Sequence, residues 1–271
     1  MTTIGAIFRP HQPPETLRDI ARLADDVGLE ELWLWEDCFF NGGISAAAAA
    51  LAWTERVRVG VGLTPVPFRN VAVEAMEIAT LHRMFGDRPI IAVGHGVQGW
   101  MGQVGARAES PLTLLREWVT ALRSLLAGEE VSTKGRYVSL DRVKLDWPPT
   151  VAPPIVIGAT GPKTLRLSGE LADATILTSG KSLDDARAAR EHIGSAQHHV
   201  IQFMEAATGP TAAQRISTPS AVAGDAEAVA ARVREFVSAG ADSVILEPTA
   251  DEPDPAGFVR FVAEKVRPLV D

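Results

Sequence analysis

Arg56-Val-Arg-Val-Gly-Val-Gly-Leu-Thr-Pro-Val-Pro-Phe-Arg69 leads into the segment Val71 to Phe85 and then into Pro89-Ile-Ile-Ala-Val93. The run Val57 to Val61 is short, apolar and β-branched, as a strand buried on both faces must be, and Pro65 and Pro67 break it. Val71 to Phe85 carries apolar residues at helical spacing, and Pro89 to Val93 is a second buried run. Strand, helix and strand in that order make a parallel βαβ unit, so the rest of the chain can be tested for the same period.

The period repeats in both directions. Upstream, Thr3 to Phe8 is a strand. Glu15 to Val27 follows, a helix with Leu17, Ile20, Leu23, Ala24 and Val27 on one face and Gly28 as its stop. Leu32 to Trp35 is the second strand, and Ser45 is placed to cap an Ala-rich helix ending at Trp53. Downstream, Gly94 to Ser110 reads as a long loop, and Pro111 marks the start of a helix over Leu112 to Leu126. Val131 to Leu145 has two polar, β-branched runs around Lys134-Gly-Arg136, a hairpin excursion on the surface. Ile155 to Ile157 with Pro162 to Leu171, and Ala174 to Leu177 with Leu183 to His192, are units five and six. His199 to Met204 with Ala226 to Ser238, and Ser243 to Leu246 with Phe258 to Val270, are seven and eight. Eight pairs in one chain predict a closed (β/α)8 TIM barrel, α/β in class and a single domain over residues 1–271. A doubly wound open sheet is the structural alternative.

Composition narrows the function classes. The chain has 271 residues, 46% of them apolar, which suffices for one large core. A formal charge of −8 with no Lys/Arg cluster argues against a nucleic-acid footprint. The single cysteine, Cys38, excludes an internal disulfide or a multi-cysteine zinc site. No apolar run is long enough to span a bilayer, and Met1 to Phe8 reads as a first strand rather than a leader, so a cytoplasmic location is the expectation.

In a barrel the chemistry sits where strands end, which makes the residues just after each strand the candidates. After strand two come Glu36, Asp37, Cys38, Phe39 and Phe40. Adjacent carboxylates in a strand point to opposite faces, so at most one of Glu36 and Asp37 faces the mouth. Cys38 has no partner histidine by spacing, and packing is its simpler role. Gly94-His95-Gly96 after strand four would let a flat ring approach the backbone, with His95 as a group that trades protons near neutral pH. The turn Gly158-Ala-Thr-Gly-Pro-Lys163 after strand five opens a helix and exposes free N–H groups to an anion such as phosphate, although an ordinary tight turn also needs glycine. Trp33, Trp35, Phe39, Phe40 and Trp100 are pocket walls or, more simply, core and rim. The six histidines show no metal-binding spacing, so no metal is expected.

Ala24 to Trp35, Arg56 to Arg69, Ala75 to Arg88, Ile90 to Gly96, Leu125 to Gly128, Gly135-Arg-Tyr137 and Pro154 to Lys163 with Ala172-Asp173 together resemble the bacterial-luciferase-like superfamily, barrel oxidoreductases that use FMN or the deazaflavin coenzyme F420. The resemblance spans nearly the whole chain. It implies that Gly158, Ala159, Thr160, Gly161 and Pro162 hold the cofactor phosphate. It also implies a non-proline cis peptide around Val61, Gly62 and Leu63 under the central ring, with Thr64 beside the ring and Gly94, His95 and Gly96 lining its site. The chain departs from the family where many relatives carry Asp-His after strand two and Glu after the strand-four glycines: here stand Asp37-Cys38 and Val97-Gln98. Asp37 and His95 are the catalytic candidates, His95 in place of the missing acid. Hydride transfer between coenzyme F420 and a small organic substrate is the leading expectation, an FMN-dependent monooxygenase the second. A non-catalytic flavin-binding protein is the reading of another class, and a phosphate-handling barrel would need an anion site at strands seven and eight. A homodimer through the Ala46 to Ala50 helix is also expected, unless that helix simply lies tight on its own barrel.

Overall fold

A computed structural model describes residues 2–270. In chain order its elements are β1 (Thr3–Phe8), α1 (Leu17–Asp26), β2 (Glu31–Leu34), α2 (Gly43–Ala52), β3 (Arg58–Pro65), α3 (Val71–Phe85), β4 (Pro89–Gly94), α4 (Gln98–Gln103) and α5 (Pro111–Leu126). There follow β5 (Val131–Lys134), β6 (Ser139–Val143), β7 (Val156–Gly158), α6 (Pro162–Leu171), β8 (Ala174–Leu177), α7 (Leu183–Ile193) and β9 (His199–Ala207). The chain ends with α8 (Ala212–Arg215), β10 (Val222–Ala223), α9 (Ala226–Ser238), β11 (Ser243–Pro248) and α10 (Pro255–Arg260).

Eight strands pair in parallel in the order β1-β2-β3-β4-β7-β8-β9-β11, and β11 pairs back onto β1, so the ring is closed and has no edges. The doubly wound alternative is thereby excluded. The two-residue β10 only extends β9 at its C-terminal end. Side chains alternate along each strand between two apolar layers. Ile7, Trp33, Ile90, Val156, Ile201 and Ile245 fill the barrel interior, while Ala6, Leu32, Val59, Leu246 and their neighbours pack against the helices. The antiparallel β5–β6 hairpin stands outside the ring. It is fastened by Glu117 of α5, whose carboxylate accepts from the N–H groups of Arg136, Tyr137 and Val138 at 2.8–3.0 Å.

Four expectations need correction. Ser45 does not cap α2: the N-cap is Gly42, and the Ser45 hydroxyl donates to the Gly42 carbonyl. Pro65 does not stop β3 early, because the strand runs on to Pro65 with its pairing to β4 shifted between Val61 and Thr64. The loop after β4 contains the short helix α4. The last helix begins at Pro255, capped by Asp254, and widens into π-type turns over Phe261–Val266.

Candidate active site

A cavity of about 580 Å³ opens at the C-terminal ends of the barrel strands. Its floor is aromatic. Trp33 lies fully buried beneath it, hydrogen-bonded through its indole N–H to Glu31, and meets Phe203 edge to face with centroids 5.4 Å apart. Trp35 stacks nearly parallel to Phe203 at 6.3 Å.

The β3, β4 and β7 ends make one half of the wall. The Gly62–Leu63 peptide is cis, at the position the family resemblance indicated. The side chain of Leu63 fills the space beside Gly94 and Gly158, where an added Cβ would come within 2.6 Å and 2.2 Å of Leu63 Cδ2. Gly62, Leu63, His95, Gly96, Gly158, Ala159 and Thr160 line the cavity. Gly94 does not, being the last residue of β4 with its open side against Leu63. Thr64 is turned away altogether: it is buried and donates to Glu74 Oε1 (2.9 Å), with the Ala92 carbonyl at 3.2 Å. A residue in an extended strand one step past Leu63 must face the other side, so Thr64 is corrected from ring neighbour to anchor of the strand end.

Gly161 is the N-cap of α6 and Pro162 its first residue, and no side chain caps that helix. The first turn thus presents backbone N–H groups and the positive helix end beside Thr160, the arrangement that suits a phosphate. Pro162 also borders a smaller neighbouring cavity of about 140 Å³ that shares Thr160 and reaches Lys181 and His192. His95 reaches α6 from the other side, Nε2 lying 3.1 Å from Thr164 Oγ1. Burial pulls the His95 pKa below its usual value, against an opposing pull from the Pro111 carbonyl, so the ring is neutral at pH 7.

The other half comes from β8, β9, β11 and β2. Both Glu36 and Asp37 line the cavity, contrary to the alternation argument, because β2 already ends at Leu34 and the two carboxylates leave from irregular backbone. Glu36 Oε2 accepts from the Gly43 N–H (2.7 Å) and from Arg69 (2.8 Å). Asp37 has burial raising its pKa, opposed by Arg9 and His11. Glu247, at the end of β11, pairs with Arg9 at 2.5 Å and accepts from the Ser179 hydroxyl. Burial raises its pKa too, with the Ser179 hydrogen bond and Arg9 opposing and the charges of Glu205 and Asp37 adding to the rise. Arg9 in turn sits over the Trp35 ring, 5.1 Å from its centroid.

Behind the wall, Arg69 serves three carboxylates: Glu36 at 2.8 Å, Glu74 at 2.5 Å and Glu77 at 3.8 Å. Glu74 is fully buried, and desolvation outweighs Arg69 and the Thr64 hydrogen bond to push its pKa up to about 7. Phe39 and Phe40 lie outside the cavity, more than half exposed, with Phe40 against His11. Cys38 is half-buried, and burial, Glu36 and Asp37 all raise its thiol pKa, so it is a poor nucleophile at neutral pH. Trp100 and Gln98 do reach the cavity. Glu205 and Glu247 stand at the ends of β9 and β11, the opposite of the anion site a phosphate-handling barrel would need there. Among the described residues no group of three His, Cys, Asp or Glu is arranged to hold a metal ion, and no helix is long and apolar enough to cross a membrane.

Sequence reasoning missed Glu247, Ser179, Phe203, Arg9 and Thr164. Only Glu247 carried a usable signal, an acidic residue directly after the apolar run Ser243 to Leu246.

A closed barrel with an aromatic-floored cleft at its mouth and an uncapped helix N-terminus at one side defines a cofactor-dependent barrel enzyme. The luciferase-like monooxygenase pattern matches residues 2–214, and the chain belongs to that family. It is 29% identical over 246 residues to a 5,10-methylenetetrahydromethanopterin reductase of Methanolobus tindarius, covering 90% of this chain and 74% of the relative. It is 33% identical over 182 residues to an F420-dependent glucose-6-phosphate dehydrogenase of Microbacterium testaceum (strain StLB037), covering 62% of this chain and 54% of the relative. An F420-dependent secondary alcohol dehydrogenase, solved in complex with an F420-acetone adduct, superposes with a TM-score of 0.88 at 21% identity, covering 100% of this chain and 99% of that one.

Proposed function

We propose that this protein is an oxidoreductase that transfers a hydride between coenzyme F420 and a small organic substrate. The observation that carries the reading is the division of the cavity: a glycine-lined half on β3, β4 and β7 that ends at the open N-terminus of α6, and a separate carboxylate-bearing half on β8, β9, β11 and β2. Relatives named for F420 use support that cofactor over FMN, and an FMN-bound monooxygenase component of the same fold keeps FMN as the alternative. Room beside the cofactor half argues against a purely flavin-carrying role, which would need no second cavity.

The deazaflavin ring supplies the hydride acceptor or donor when bound. The backbone at Gly62 and Leu63, with Gly96 and Gly158, lines the part of the cavity that would receive the flat ring, the Leu63 side chain packing beside Gly158. The N–H groups of the first turn of α6, with Thr160 and Lys163, suit the cofactor's phosphate. His95 is the proton carrier of this half: neutral at pH 7, it holds one proton between two ring nitrogens, one of them committed to Thr164. Asp37 and Glu247, whose pKa values burial raises, are placed to accept or return a substrate proton. An exposed apolar stripe of Val73, Met76 and Met84 on α3, next to α2, supports pairing of two copies there, although Ala47 and Ala50 are already consumed by packing on their own barrel.

Titration of the purified protein with F420, and separately FMN, followed by fluorescence, tests the cofactor. Micromolar F420 affinity, weakened about tenfold in Thr160→Val/Lys163→Ala through loss of a hydroxyl and a charge, is the expected result. Binding of neither cofactor would overturn the proposal.

A further inference from the structure

Three carboxylates, Glu36, Asp37 and Glu247, line the cavity, and no lysine or arginine does among the described residues. On the carboxylate-bearing side the neighbouring arginines stand behind the wall and already pair with carboxylates. Arg69 is shared by Glu36, Glu74 and Glu77. Arg9 lies over the Trp35 ring and pairs with Glu247. Glu36 is spoken for by Gly43 and Arg69. Asp37 differs: Arg9 and His11 influence it through space, but no hydrogen bond holds its carboxylate. The substrate half therefore offers one uncommitted acceptor carboxylate, Asp37, beside Glu247, which Arg9 and Ser179 already occupy, with the aromatic faces of Trp35 and Phe203 and no lysine or arginine lining it to receive an anion.

Resting on the placement of the cofactor against β3, β4 and β7, we infer that the β11–β1–β2 side of the cavity takes a small substrate with an apolar body and an uncharged or cationic hydrogen-bond donor, an alcohol or an amine, and turns away phosphate- and carboxylate-bearing compounds. Size and charge agree in this. A cavity of about 580 Å³ that also receives a tricyclic ring leaves room for one small molecule. An anion entering it loses water and meets like charge, whereas a hydroxyl or ammonium group finds Asp37 and an aromatic wall.

Benzyl alcohol, benzylammonium and benzoate share one apolar body and differ only in the charge and donor capacity of the head. Ligand-observed NMR at about pH 8, well above the ordinary carboxylate pKa values of about 4, is run on the F420-loaded protein and on the apoprotein. The alcohol and the ammonium ion bind, and benzoate binds at least about tenfold more weakly than either. In Asp37→Asn, which removes a charge that no hydrogen bond ties into the fold, the benzoate deficit shrinks several-fold, and in Asp37→Asn/Glu247→Gln it shrinks further. Benzoate binding as tightly as the other two, no binding of the alcohol and ammonium probes, or a ranking indifferent to Asp37→Asn would each overturn the inference. F420 that fails to bind would remove the cofactor proposal instead, and the apoprotein's ranking would still decide this one.

Discussion

Replacing Glu74 by Gln perturbs a group whose titration the structure places well away from its ordinary range. Its carboxylate is fully buried, touches Arg69, accepts from Thr64, and has Glu36 and Glu77 as like-charged neighbours. Burial raises its pKa from 4.5 to about 7. The folded chain therefore holds this proton to higher pH than the unfolded chain, and stability falls as pH rises between those two values. At 1.36 kcal/mol per unit, a rise from 4.5 to about 7 corresponds to a loss of about 3 kcal/mol. Glutamine keeps an acceptor for Thr64 and carries no charge, so Glu74→Gln lacks this loss. Urea unfolding of both proteins across the window gives the difference directly: relative to wild type, the variant becomes more stable with rising pH by about 3 kcal/mol. A difference that stays constant across the window would refute the assignment of a buried, proton-holding carboxylate behind Thr64.

Other outcomes follow from single contacts. Gly60→Ala would place a Cβ 2.3 Å from the ring of the fully buried Trp33, and since that indole is held by Glu31 and Phe203 it cannot yield; thermal or urea unfolding should show a loss of about 3 kcal/mol, the upper end of overpacking. Cys38→Ser should leave F420 affinity unchanged, and the wild-type thiol should react slowly with iodoacetamide at neutral pH, because three influences raise its pKa. Glu117→Ala removes the acceptor for three hairpin N–H groups, so hydrogen exchange should quicken at Arg136, Tyr137 and Val138 without change in the barrel strands.

The barrel was legible because its strands announce themselves as short apolar runs and its helices by their period. The helix Val71–Phe85 agrees in both bounds, with Asn70 capping one end and Gly86 following the other. The mouth of the barrel was only half legible. Glycine runs at Gly94-His95-Gly96 and Gly158 to Gly161 stand out in a sequence, and they do border the cavity or the helix end beside it. Glu36 and Asp37 were misjudged because alternation was applied two and three residues beyond a strand that stops at Leu34. Thr64 and Glu74 were hidden for a different reason: ten residues apart, they meet only because β3 and α3 pack together, and an acidic residue within an amphipathic helix ordinarily faces water. Arg9 follows β1, Ser179 follows β8 and Glu247 lies in β11, and nothing local marks three such distant residues as partners of one another.

A crystal structure of the protein with coenzyme F420 bound tests the central claim most directly. The account predicts the deazaflavin ring against Gly62 and Leu63 with the phosphate at the first turn of α6, leaving Asp37 and Glu247 facing open space on the far side. A ring bound on the Asp37 and Glu247 side, or a phosphate away from α6, would contradict it.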